Sequence, residues 1–168
     1  MHRRSFLPAF ATLLAALVLT ACGGAPMRPT PDRSERTLSD HGREVTMFAL
    51  SLLDTGYRFG GKNPEAGLDC SGMVTYVFNR AAGLKVTGSA ADIAQQGRPV
   101  DKAALVPGDL VFFDTSNRPF STISHVGIYI GDGRFIHAPS AASGRVRIDR
   151  LSSSYFAPRF TAGRSYFD

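Results

Sequence analysis

Tryptophan is absent from the 168 residues, and cysteine occurs only twice, at positions 22 and 70. Two thiols are too few for a small disulfide-stapled scaffold. No apolar run reaches the ~20 residues that a membrane-spanning helix needs. Charge of one sign is not concentrated either: the formal charge is +5, but the basic residues are scattered singly, which excludes a nucleic-acid-binding stripe. What is present is ordinary for a globular chain. With 43% hydrophobic and 20% charged residues, the sequence is neither disordered nor fibrous. Its length suits one domain of moderate size, and 17 glycines and 10 prolines make turns plentiful.

The first 21 residues read as an export signal. His2, Arg3 and Arg4 form a basic start, and Phe6 to Leu19 is a short apolar run. Such a run ending at small residues is a secretory signal rather than a membrane span. Its end, Leu19-Thr20-Ala21-Cys22, resembles the bacterial lipoprotein box, in which the cysteine is acylated (palmitate included) and becomes the new N-terminus. The competing reading is an ordinary signal with an incidental cysteine. Several acyl chains anchor a protein firmly, each buried CH₂ contributing ~0.8 kcal/mol. Gly23, rather than Asp, follows the cysteine, and this resembles lipoproteins sent to the outer membrane, facing the periplasm. Residues 22–38, with Pro26, Pro29 and Pro31 among mixed charges, form a flexible tether from the lipidated Cys22.

The folded domain is expected over 39–168. Val45, Phe48, Ala49, Leu52 and Leu53 recur at helical spacing, so 40–54 reads as an amphipathic helix with Ser39 as its cap. A second helix runs from Cys70 to Ala82, capped by Asp69 and closed by Gly83, with Val74, Val77, Phe78 and Ala81 as its buried stripe. A short third covers Ser89 to Gln96. The period then changes. Asp109–Asp114, Ser124–Ile130, Arg134–Ala138 and Arg145–Asp149 read as strands. Helices first and antiparallel strands second make an α+β domain.

Cys70 opens a helix directly after a Gly-rich loop. Unpaired N–H groups and the positive dipole end at a helix start favour a thiolate, the nucleophilic form. The bland alternative is a buried structural thiol. Two histidines favour catalysis. His125, Gly127 and Tyr129 share one face of their strand, opposite Val126, Ile128 and Ile130. Whether His137 joins them depends on the turn between the two strands. A two-residue Asp132-Gly133 loop pairs Gly131 with Arg134 and turns the histidines to opposite faces. A three-residue Gly131-Asp132-Gly133 loop pairs Ile130 with Arg134, sets Ile128 opposite Ile136 and His137 opposite Gly127, and leaves open space beside His137 at Gly127. Apolar pairing favours the second arrangement. Cysteine, base and orienting residue then follow the logic of an activated nucleophile. A Cys-His-His zinc site is the rival; it lacks a fourth ligand and the usual metal-ligand spacing, so neither metal nor cofactor is expected.

Four blocks, Gly-Tyr-Arg-Phe-Gly-Gly-Lys-Asn-Pro from Gly56, Leu-Asp-Cys-Ser-Gly from Leu68, Pro-Gly-Asp-Leu-Val-Phe-Phe from Pro107 and Ser-His-Val-Gly-Ile-Tyr-Ile-Gly-Asp-Gly-Arg-Phe-Ile-His-Ala-Pro from Ser124, closely resemble the NlpC-type cell-wall cysteine peptidases. In family order they cover residues 45 to about 165. The resemblance implies a papain-like α+β fold with N-terminal helices on a small antiparallel sheet. It implies a cysteine-type endopeptidase acting on peptide stems or cross-links of peptidoglycan. Cys70 would be the nucleophile, His125 the base and His137 the orienting residue. Tyr57 would help bind the oxyanion, with the backbone N–H of Cys70 or Ser71 as the other donor. Asp69 reads as a cap. Phe59 stands where the family often has Trp or Tyr, and Asn117 to Thr122 lengthens the approach to His125. Peptidoglycan and, through Cys22, the membrane are the expected partners of a monomer in the cell envelope. A non-catalytic wall-binding lipoprotein on the same scaffold and a thiol amidase or acyltransferase are the alternatives.

Overall fold

The computed structural model describes residues 38–116, 123–139 and 144–167. The signal segment, Cys22, the tether up to residue 37 and the Asn117–Thr122 insertion lie outside the described residues.

Helix α1 spans Asp40–Leu50, with the Ser39 side chain accepting from the Gly42 N–H. It is shorter than the amphipathic pattern, because Ser51 to Asp54 form turns and Asp54 takes a left-handed φ of 66°. Leu52 is still buried while Leu53 is 40% exposed. Helix α2 spans Cys70–Ala82 between the Asp69 cap and Gly83, whose φ of 65° closes the helix. Helix α3 is a single turn, Ala90–Ile93, held by a reciprocal Ser89–Asp92 capping box. Two short strands, β1 (Lys62–Asn63) and β2 (Gly67–Leu68), fold the Gly-rich loop into a small ribbon ahead of α2.

Six further strands form one antiparallel sheet: β3 (Arg98–Val100), β4 (Leu110–Phe113), β5 (His125–Gly131), β6 (Arg134–His137), β7 (Arg147–Arg150) and β8 (Phe160–Ser165), in the order β3-β8-β4-β5-β6-β7. The sequence pattern signals β4 to β7 but not β3 or β8. Pro99 lies inside β3, and Gly163 interrupts the apolar alternation of β8; both residues weaken a strand signal. A Cβ at Gly163 would press on the Val100 carbonyl, so the two missed strands are packed backbone to backbone.

The sheet buries both faces. Leu110, Phe112, Val126, Ile128 and Ile136 join α1 and α2 residues in the main core. Val111, Phe113 and Phe135 form a second cluster with Leu151 and Phe156. That explains the unbroken apolar run in β4, whose four residues are all buried.

The β5–β6 hairpin combines features of the two turn geometries weighed from sequence. Gly131 pairs with Arg134, so the loop is the two-residue Asp132-Gly133, not the three-residue form. Both loop residues have positive φ, 52° and 68°, as a type I′ turn requires. Yet Ile128 still pairs with Ile136, because the register shifts between Tyr129 and Gly131. The extra residue is a bulge, and it restores the alternation that the shorter loop would have inverted. The open space expected at Gly127 is not there: a Cβ would come within 2.6 Å of the Phe135 ring.

Gly72 sits where the loop crosses the first turn of α2, and a Cβ there would overlap the carbonyl oxygen of Gly61. Because the obstacle is backbone, it cannot swing aside. Gly72→Ala is expected to destabilise the protein by about 1–3 kcal/mol, the usual range for overpacking, despite alanine's better helix propensity. Urea unfolding of the two proteins checks this.

Candidate active site

Cys70 is the first residue of α2, placed there by the Asp69 cap. One Asp69 carboxylate oxygen accepts from the Gly72 N–H at 2.6 Å and the Ser71 hydroxyl at 3.1 Å, and the other accepts from the Gly60 N–H at 2.8 Å. The cap therefore ties the helix start to the Tyr57–Gly61 loop. Such a cap is worth roughly 1 kcal/mol to the helix alone.

Cys70 is half-buried and its thiol is free. Burial pushes its pKa above the ordinary value; the Val126 backbone N–H opposes this, the Asp69 charge adds to it, and the N–H groups of Ser71 and Cys70 favour the anion again. This corrects the expectation from the helix start. Desolvation outweighs the helix terminus, so the resting group is a neutral thiol.

His125 and His137 arrive on adjacent strands and share a face. His125 Nε2 and His137 Nδ1 are 2.7 Å apart. Phe156 stacks near His125 and meets His137 edge-on, at 6.4 and 5.3 Å between ring centroids, and Phe113 and Phe135 flank them. In this apolar surround the charged forms are disfavoured. The pKa of His125 is lowered to about 3, chiefly by desolvation and then by His137. That of His137 is also lowered by burial, against the pull of Asp149. Neutral imidazoles are what a proton acceptor requires.

A cleft of about 600 Å³ is lined by Cys70, Ser71, Tyr57, His125 and His137, with Phe59, Arg147, Tyr155 and Phe156 on its walls. It straddles the border of the two cores: Cys70 packs against the helical one and the histidines contact the aromatic one. All five residues singled out in this domain thus meet in one place. The Tyr57 hydroxyl's pKa is raised by burial first and then by the charges of Cys70 and Asp69. The Ser71 side chain is occupied by Asp69, which leaves its backbone N–H as its contribution. Phe59 is 89% exposed on the rim.

The chain matches the NlpC/P60 family over residues 54–165. The chain belongs to that family. Among curated NlpC/P60 relatives, the γ-DL-glutamyl hydrolase of Bacillus subtilis (strain 168) is 43% identical over 122 residues, 73% of this chain and 29% of that protein. The murein DD-endopeptidase MepS/murein LD-carboxypeptidase of Escherichia coli (strain K12) is 40% identical over 108 residues, 64% of this chain and 54% of its own length. The chain therefore spans about half or less of these relatives. Among solved structures, the NlpC/P60 domain of the peptidoglycan hydrolase SagA superposes with a TM-score of 0.63 at 29% identity, covering 74% of this chain and 97% of that one. The α+β architecture of helices packed on an antiparallel sheet is thus the NlpC/P60 fold.

Sequence reasoning missed Asp149, Arg147 and the aromatic pair Tyr155 and Phe156. Asp149 Oδ2 lies 2.9 Å from His137 Nε2. The Arg-Val-Arg-Ile-Asp alternation puts Arg147 and Asp149 on one face of a strand, but the register of β7 against β6 depends on the long connection between them.

Buried histidines held neutral also act on stability. The unfolded chain binds protons on both histidines near pH 6.5, whereas folded His125 does so only near about 3. Between those values the unfolded state carries more protons, so stability rises with pH and is lost on acidification. Thermal melts from pH 7 to pH 4.5 should show a falling midpoint, with a shallower slope in His125→Ala. An equal slope in both proteins contradicts the assignment.

Proposed function

We propose that the protein is a lipid-anchored cysteine endopeptidase that hydrolyses peptide stems or cross-links of bacterial peptidoglycan. The observation that carries this reading is the convergence of Cys70, His125 and His137 on one cleft, with the imidazoles hydrogen-bonded at 2.7 Å. The activities for which the relatives are named, γ-DL-glutamyl hydrolase and murein DD-endopeptidase, support this substrate class.

In this mechanism Cys70 begins as a neutral thiol. As its sulfur attacks the scissile carbonyl carbon, its proton passes to His125. The oxyanion that forms is held by the Tyr57 hydroxyl and the backbone N–H of Cys70 or Ser71. Collapse breaks the C–N bond, and the amine leaves with the proton from His125. Water then attacks the thioester with His125 again as base, releasing the acid and restoring the thiol. His137 keeps the His125 ring in place throughout. The apolar wall of Phe113, Phe135 and Phe156 excludes water from the imidazole pair.

Anchoring rests on Leu19-Thr20-Ala21-Cys22. Acyl chains on Cys22 and the Pro-rich tether would confine the enzyme near its polymer, raising effective concentration. The γ-D-glutamyl bond within a stem and the cross-link between stems are the two candidate targets.

Digestion of purified muropeptides by soluble 24–168 protein, read by mass spectrometry, identifies the bond. Cys70→Ala and Cys70→Ser should retain the fold and lose at least about 99% of turnover, consistent with the hundredfold or greater loss typical of removing an activated nucleophile. Substantial turnover in either variant would exclude Cys70 as nucleophile. A folded wild-type protein that binds but never cleaves muropeptides would instead be a wall-binding lipoprotein.

Lipidation is tested separately with a fatty-acid analogue. Label should enter the wild-type chain in cells and vanish in Cys22→Ala. Label that persists in the variant sinks the anchor.

A further inference from the structure

The imidazole pair does not end at His137. On β7, Asp149 stands diagonally from His137, which itself pairs with Arg147. Asp149 Oδ2 accepts from His137 Nε2 at 2.9 Å and from Arg147 Nε and Nη2, each at 2.8 Å. Asp149 does not line the cleft, whereas Arg147 does. We propose that Asp149 is a positioning residue that sets the tautomers of both histidines, leaving Nδ1 of His125 as the one bare nitrogen for the Cys70 proton. This rests on the cysteine-peptidase reading of the site.

The inference follows from which groups can donate. The hydrogen bonds from His137 and Arg147 hold the Asp149 carboxyl below its ordinary pKa, so at neutral pH it is an anion and only accepts. His137 Nε2 must therefore carry a proton. His137 is neutral, so its Nδ1 carries none and accepts. The partner across 2.7 Å, His125 Nε2, must then be the donor. Neutral His125 is left with its lone pair on Nδ1. An alternative proton order would set two lone pairs against each other somewhere along the chain from Asp149 to His125. When His125 takes the thiol proton, the carboxylate also stabilises the positive charge through His137, as its upward pull on both histidines indicates.

The charged and titratable groups around this relay come from every packed element: Asp149 and Arg147 from β7, His137 from β6, His125 from β5, Cys70 and Asp69 at the start of α2, and Tyr57 and Tyr155 from the cleft walls. The facing residue of β4 is Phe113. Arg147 opposes the imidazolium and Asp149 favours it, so Asp149 is the group whose loss weakens the base.

The informative substitution is Asp149→Asn. Arg147 would claim the amide oxygen and turn the amide nitrogen, a donor, toward His137. The relay would then invert, putting the proton of His125 on Nδ1 and leaving no base. Two measurements on the full chain test this. In muropeptide hydrolysis, Asp149→Asn should lower kcat by about 10- to 100-fold, as loss of a residue supporting a histidine typically does, with KM nearly unchanged. Asp149→Glu, which keeps the carboxylate, should recover a large part of that loss. In alkylation by iodoacetamide, read at the Cys70 peptide, the pH profile of Asp149→Asn should move to higher pH, because the thiolate loses a stabilised imidazolium partner. A loss of activity that merely tracks a lower melting temperature, with the alkylation profile unmoved, would overturn the proposal. So would an Asp149→Asn enzyme with wild-type kcat. Alkylation needs no peptide, so a shifted profile in a protein that cleaves no muropeptide would support the relay while sinking the substrate reading.

Discussion

Two buried imidazoles hydrogen-bonded across neighbouring strands at 2.7 Å set the conditions that the rest of the site meets. Such a pair is costly if either ring is charged or unpaired, because its surroundings are aromatic and dry. The fold answers on three sides. The aromatic cluster of Phe113, Phe135 and Phe156 fixes the ring planes. Asp149 satisfies the outer nitrogen of His137. His125 lines the same cleft as the Cys70 thiol. Neutrality of the pair is thus a consequence of packing, and it is the same condition that a general base requires.

The bulge in β5 is what allows the pair to exist. A type I′ turn of two residues matches the twist of a hairpin and is strongly favoured locally. Left uncorrected, it would place His137 on the face that carries Ile128, among the side chains of α1 and α2. One extra residue at Ile130 and Gly131 returns the strands to apolar-on-apolar pairing. Local turn preference and global core burial are both satisfied, at the cost of an irregular ladder near the hairpin end and away from the histidines.

The thiol is presented by a different device. Asp69 links the first turn of α2 to the Gly-rich loop, and Gly61 and Gly72 let the two backbones meet. The loop brings Tyr57 into the cleft, so cap, glycines and tyrosine act as one unit. Burial makes the thiol a poorer acid than a helix terminus by itself would. In the proposed mechanism this moves the burden of activation onto His125 and its supports, and away from the helix dipole.

Much of this was readable from the residues alone. The caps Ser39, Asp69 and Ser89 and the terminating Gly83 are local signals whose effect needs only neighbouring backbone, and α2 was bounded to the residue. The even spacing of His125, Gly127 and Tyr129 fixed their shared face, because strand periodicity is a property of the chain itself. The helix-start position of Cys70, the strand faces of the two histidines and the four family-like blocks singled these residues out as candidates. Tertiary structure decided what depends on distant partners. Strands β3 and β8 form because they pair with each other and β8 also pairs with β4; their own sequence does not favour them. The acidity of Cys70 was set by how deeply the helix start is buried, not by the helix. The role open to Asp149 arises because β7 returns beside β6 in one register out of several, and register across a long connection is chosen by the whole core rather than by any local stretch of sequence.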